Sequence, residues 1–208
     1  MSMTEVNLRA KFKQNRLDAM PEIGKSICDF CVDNAVENVI FLDRSARPAY
    51  IPFKEQWKKN YPDKQRPSMY FVSPKIMEQY GVGEEEVAQF KKEHPYLTKE
   101  DKPTLVFDVC VKEGLTIHNM NELLIKAGFS EVYSLVTAVH KDKKQYVLPN
   151  VVLYDNHNLG CHVFGQPFTN DLGVERNQAS FIVNKKSESQ SYINTNRKEL
   201  LQASKISS

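Results

Sequence analysis

The sequence has little net charge, no long apolar run and too few cysteines for a disulfide scaffold. Lysine and arginine number 28 against 26 aspartates and glutamates, a formal balance of +2. No global field therefore draws the chain to nucleic acid or to an acidic membrane surface, and any basic function must be local. No stretch approaches the roughly 18 consecutive apolar residues of a membrane helix. The four cysteines, Cys28, Cys31, Cys110 and Cys161, lack dense spacing and follow no secretory signal, so the cytoplasm is the expected compartment. Cys28-Asp-Phe-Cys31 is a lone CxxC whose only distant zinc partners would be Cys161 and His162; two buried thiols on one helix face is the simpler reading. There is no internal repeat.

At 208 residues the chain is long enough for one domain with a sizeable core. Residues 1–22 are polar and read as an arm or helix, 23–183 as the domain, and 184–208 as a flexible polar tail that could dock one helix through Ile193, Leu200 and Leu201. From Ile23 the apolar positions Ile27, Phe30, Cys31 and Ala35 recur at helical spacing, which predicts a helix ending near Asn38. Val39 to Asp43 is a continuous apolar run closed by a carboxylate, the pattern of a central parallel strand buried on both faces. Pro48 suits the first residue of a following helix that runs to about Lys59. Within it the basic residues around Trp57 and Tyr61 fit a solvated face over a buried Trp better than a nucleic-acid surface, so no specific nucleic acid is expected.

Ser68 to Val72 is a further strand, followed by a polar excursion over 75–103 that either forms a mobile lid or packs as an ordinary helix around Val87 and Phe90. Thr104 to Thr116 is the centre of the pattern: an apolar strand, Asp108, a turn with Gly114, and a helix start at Thr116. That helix shows Ile117, Met120, Leu124 and Ala127 on one face and stops at Gly128. Strands at 131–139 and 147–154 complete a βαβ pattern, and 180–183 reads as an edge strand. A strand's carboxyl end leading into a helix N-terminus is where α/β proteins bind anions, because free N–H groups and the helix dipole face outward there. The cationic, small-residue loop Asp43-Arg44-Ser45-Ala46-Arg47 could do the same at the other strand, or could be a surface turn paired with local carboxylates.

Two apolar strands ending in Asp, one followed by an arginine loop and the other by Gly-x-Thr, resemble the type I phosphoribosyltransferases. Val106-Phe107-Asp108 matches the family's strand and first acid, Gly114-Leu115-Thr116 the end of its loop, and Glu122 to Val132 its next helix and strand. The resemblance implies a Rossmann-like central parallel sheet flanked by helices, with a small peripheral hood. It implies that Lys112, Glu113, Gly114, Leu115 and Thr116 hold a 5-phosphate, and that Asp43, Arg44, Ser45, Ala46 and Arg47 form the pyrophosphate loop. Asp108 would bond a ribose hydroxyl and, with Lys112, lie nearest the chemistry.

The partner implied is phosphoribosyl pyrophosphate or a nucleotide. Its pyrophosphate is bridged by Mg2+ through the substrate, so no protein side chain is assigned to the metal. Such folds often pair, so a homodimer is an open arrangement, and no membrane partner is expected. Asp155 to His162 would contribute to the hood; His140, His157 and His162 read as surface or packing residues unless they serve as acids or bases.

Three positions depart from the family. Val109 replaces the second acid, Lys112 an aspartate, and Glu113 a phosphate-contacting Thr or Ser. A carboxylate about 4 Å from a phosphate costs about 4 kcal/mol at an effective dielectric near 20 unless it turns to solvent. Besides transfer with release of pyrophosphate, the departures admit a non-catalytic binder of a phosphorylated ligand. A haloacid-dehalogenase-type phosphatase, with Cys110 in place of that family's second acid, and a purely structural α/β domain complete the alternatives.

Overall fold

The structure is a computed structural model that describes residues 3–42, 46–73, 82–97, 101–111, 113–139, 149–154 and 190–205. Its centre is a parallel sheet of β1 (Asn38–Leu42), β2 (Ser68–Val72), β3 (Thr104–Val111), β4 (Val132–Val139) and β5 (Val151–Tyr154), in the order β2-β1-β3-β4-β5. β1 is buried along its whole length, and β3 at all positions but Cys110. Continuous apolar runs are what a parallel sheet with both faces covered requires. The expected Rossmann-like sheet flanked by helices is present. The expected edge strand at 180–183, the segment 155–162 assigned to the hood, and His140 lie outside the described residues.

Side chains alternate across the sheet as the strand period demands. Val39, Phe41, Leu105, Phe107 and Leu135 face a layer made by α1 (Met3–Asp33), α2 (Tyr50–Asn60) and α5 (Gln190–Lys205), where Ile23, Ile27, Phe53, Trp57 and Leu200 meet them. Ile40, Leu42, Val106 and Val136 face α3 (Glu84–Glu93) and α4 (Leu115–Lys126) through Phe90, Ile117, Met120 and Leu124. The chain thus leaves β1 for β2 over one face and returns from β2 to β3 over the other, as crossovers of one hand must. The reversal falls between β1 and β3, so their carboxyl ends open a crevice rather than being bridged by a connection.

α1 runs without interruption from Met3 through Pro21 to Asp33, although apolar periodicity begins only at Ile23. It crosses α2 so closely that a Cβ on Gly24 would stand 2.5 Å from the carbonyl carbon and oxygen of Pro52. The expectation that the helix reaches Asn38 with Ala35 on its buried face is corrected. Ala35 is exposed at φ 49, beyond the helix, where Val36 N–H donates to Cys31 O at 2.8 Å and Ala35 N–H to Val32 O at 3.4 Å. This pair of bonds is a Schellman end, and the left-handed position normally taken by glycine is held by alanine.

The same closure at α4 uses Gly128, at φ 102, with Phe129 N–H on Leu124 O at 3.0 Å. Left-handed strain in an alanine is roughly 1–2 kcal/mol, and the extra unfolded-state freedom of glycine returns about 0.5–1 kcal/mol. Ala35→Gly is therefore expected to raise the unfolding free energy by roughly 0.5–1 kcal/mol. A urea titration showing an unchanged or lower midpoint would contradict this helix end.

The polar tail carries α5, which docks on α1 and α2. Leu200 is fully buried, and Gln56 Nε2 donates to Ser204 O at 2.8 Å. Leu201, expected to bury, is 37% exposed, since it lies one residue around the helix from Leu200. Trp57 is buried, as its core reading required, with its indole N–H on Lys64 O at 3.1 Å. Pro48 is the second residue of a one-turn 3-10 helix, Arg47–Ala49, and the α-helix starts at Tyr50. The described part of the 75–103 excursion is α3, anchored by Phe90.

Candidate anion-binding site

Strand lengths shape the crevice. β1 pairs with β3 only as far as Phe41 opposite Phe107, whereas β3 and β4 continue together to Val111 opposite Val139. The last residues of β3 therefore stand as a wall beyond the end of its pairing with β1. Asp108 is the first residue of that wall. It is 9% exposed, and its Oδ1 accepts the Val109 N–H at 2.7 Å. By strand parity its side chain lies on the face covered by α4.

Beyond β3 the turn closes at Gly114, whose φ of 87 is the left-handed conformation that glycine alone adopts without strain. Gly114 is the N-cap of α4. Among the described residues no side chain caps this end, and its first turn carries no acidic residue. The first helical bond is His118 N–H to Gly114 O at 2.9 Å, so the N–H groups of Leu115, Thr116 and Ile117 precede the bonded ladder. With the dipole of the 12-residue helix behind them, they form a site for negative charge. Thr116 is half-buried, Leu115 is 46% exposed, and Glu113 is exposed. Solvent around Glu113 meets the condition under which its carboxylate does not oppose a phosphate. Lys112 lies outside the described residues.

In the other loop Asp43, Arg44 and Ser45 lie outside the described residues. Ala46 is buried and donates its N–H to Leu42 O at 3.1 Å; Ala49 N–H then bonds Ala46 O at 3.0 Å. Arg47 is no surface residue. It is 1% exposed, and its guanidinium carbon lies 4.4 Å from the centroid of the Phe71 ring. Tyr50 and Phe41 pack on the same ring at 5.5 and 5.8 Å. Phe71 and Tyr50 were not legible as site residues, because the stacking partner is 24 positions along the chain on another strand; an arginine three residues before a tyrosine is the one local signal.

The position that would hold a second acid is Val109, 2% exposed within the core cluster facing α1 and α2. Among the described residues no group of three metal-ligating side chains gathers, and no helix is long and apolar enough to cross a membrane. Cys28 and Cys31 are buried free thiols, and burial pushes both to higher pKa. Cys28 donates to Phe53 O at 3.4 Å, which fits a packing role. Cys161, His157 and His162 lie outside the described residues.

These features define a doubly wound α/β sheet with a glycine-opened helix terminus following one of the two strands that flank its switch point. No protein-family model matches the chain, and no curated protein sequence matches it. Among solved structures it is similar to a purine phosphoribosyltransferase from Pyrococcus horikoshii Ot3, at 10% identity and TM-score 0.42 over 65% of this chain and 80% of that one. It is also similar to a hypoxanthine phosphoribosyltransferase from Staphylococcus aureus, at 12% and 0.45 over 68% and 73%. A third is the HGPRT-ase of Leishmania tarentolae in complex with GMP, at 11% and 0.43 over 68% and 76%. Likeness at this level says nothing about chemistry, which has to be read from this chain's own residues.

Proposed function

We propose that the crevice between β1 and β3 binds phosphoribosyl pyrophosphate or a related 5′-phosphorylated nucleotide, and that the protein transfers the phosphoribosyl group to or from a base with pyrophosphate as co-product. The observation that carries this reading is the uncapped α4 terminus, opened by left-handed Gly114 directly beyond the strand that presents Asp108. In this reading the N–H groups of Leu115 and Thr116 and the Thr116 hydroxyl hold the 5-phosphate, Glu113 stays in solvent, and Lys112 offsets the local negative charge. Asp108 accepts from a ribose hydroxyl. The loop from Asp43 to Arg47 forms the pyrophosphate side, with Arg47 supporting the turn rather than reaching the ligand.

Magnesium fits this donor set only as a substrate-bridged ion, because Asp108 is the one carboxylate that the β3 end contributes. When bound, the ion would neutralise charge on the departing pyrophosphate.

One observation favours a second reading on the same site. Val109 is built into the apolar core, so no side-chain rotation supplies another acid there. A site with half of the ribose-binding carboxylates suits a regulator that binds the ligand without turning it over.

The test is isothermal titration of the full chain with phosphoribosyl pyrophosphate and Mg2+, followed by a screen of bases for pyrophosphate release. Micromolar binding is expected, weakened about tenfold in Thr116→Ala by loss of one hydrogen bond to a charged group. No binding at millimolar ligand would reject the site. Binding without pyrophosphate release from any base would select the regulator.

A further inference from the structure

We infer that Arg47 is a positioning residue, a clamp that holds the turn after β1 against β2 through Phe71, and that it does not touch the bound anion. Its side chain is 1% exposed, and its guanidinium carbon lies over the Phe71 ring, 4.4 Å from the centroid. An arginine that reads a phosphate must turn its N–H edge outward; this one is buried, with its guanidinium over the Phe71 ring.

The ring it rests on is itself fixed. Phe71 belongs to β2, touches Phe41 of β1 at 5.8 Å, and is packed edge-on by Tyr50 of α2 at 5.5 Å. The contacts run from β1 to β2, to Arg47, and back along the chain to β1. They fix the turn in which Ala46 N–H bonds Leu42 O and Ala49 N–H bonds Ala46 O. The geometry also explains the residue type. A flat, weakly hydrated guanidinium stacks on a ring when buried, whereas a strongly hydrated ammonium does not settle there. The functional weight of the clamp rests on reading this turn as one wall of the anion site; the clamp itself operates in the ligand-free protein.

The experiment measures amide hydrogen exchange on the ligand-free full chain and titrates the same proteins with inorganic pyrophosphate. Phe71→Leu, which keeps an apolar side chain in β2, is expected to speed exchange at the Ala46 and Ala49 amides about tenfold. The Ala127 amide at the far end of α4 should stay unchanged. Pyrophosphate affinity should fall by a similar factor in Phe71→Leu and in Arg47→Met, with the double variant no worse than either single one. Arg47→Lys should not restore it.

Unchanged exchange in Phe71→Leu would overturn the clamp. So would rescue of affinity by Arg47→Lys with Phe71→Leu silent, which is the signature of direct contact. A wild-type protein that ignores pyrophosphate while its exchange responds to Phe71→Leu would reject the anion site and leave the clamp standing. Should Arg47→Met fail to fold, Phe71→Leu and Arg47→Lys still decide.

Discussion

Phe107→Ala is expected to lower the unfolding free energy by about 4 kcal/mol, the cost of removing a large buried ring and leaving a cavity. The ring is fully buried on β3, the strand that lies between β1 and β4, and touches Phe41 at 5.8 Å. Phe41 in turn meets Phe53 at 6.1 Å and Phe71 at 5.8 Å, so the cavity would open inside an aromatic cluster that ties β1, β2, β3 and α2 together. Relaxation is limited here. β3 is hydrogen-bonded on both sides, and α1 and α2 above it are already in close contact where Gly24 meets the Pro52 backbone. Total stabilities of about 5–15 kcal/mol make such a loss a large fraction of the whole. The urea midpoint should fall with the slope unchanged, while Phe107→Leu should cost less than about 1.5 kcal/mol. A loss under about 1 kcal/mol for the alanine variant would mean that the ring is not packed as described.

The central strands were legible because their environment leaves a simple trace. A strand covered on both faces needs apolar side chains at nearly every position, so Val39 to Leu42 and Leu105 to Phe107 appear as unbroken runs ending beside a carboxylate. Gly128 was legible for a similar reason, since a left-handed helix end selects glycine. Ala35 was not, because the same conformation there is held by a residue that prefers helices, and periodicity alone continued the helix through it. α5 gives a weak signal: among its described side chains Leu200 is the fully buried apolar one, and Gln56 to Ser204 is a polar contact that leaves no apolar stripe.

The same contrast separates the two halves of the candidate site. The turn from Asp108 to Thr116 is local in sequence, so strand, left-handed glycine and helix start could be read in order. The environment of Arg47 could not. Its stacking partner is Phe71 from a neighbouring strand, itself packed by Tyr50 from the next helix, and a solvated surface turn would have the same local sequence.

Asp108→Asn is expected to weaken binding of phosphoribosyl pyrophosphate on the order of a hundredfold while leaving the fold intact, at the upper end of what a charged hydrogen bond contributes. The substitution separates two roles of one side chain. Oδ1 of Asp108 accepts the Val109 N–H at 2.7 Å, and an asparagine oxygen can keep that bond, so stability should change little. What disappears is the negative charge that would accept from a ribose hydroxyl at the mouth of the crevice. The position is shielded, with Asp108 only 9% exposed, so water weakens the lost interaction less than at an open surface.

Asp108→Leu provides the contrast. It removes the acceptor, leaves a backbone N–H unpaired, and should lower stability by about 1–3 kcal/mol in addition to abolishing binding. Titration calorimetry paired with urea unfolding distinguishes the cases. If Asp108→Asn binds the ligand as the wild type does, the carboxylate charge does not read the sugar, and the ribose must be placed elsewhere or not at all. If it loses binding with an unchanged urea midpoint, the single acid left beside Val109 is the group that reads the sugar.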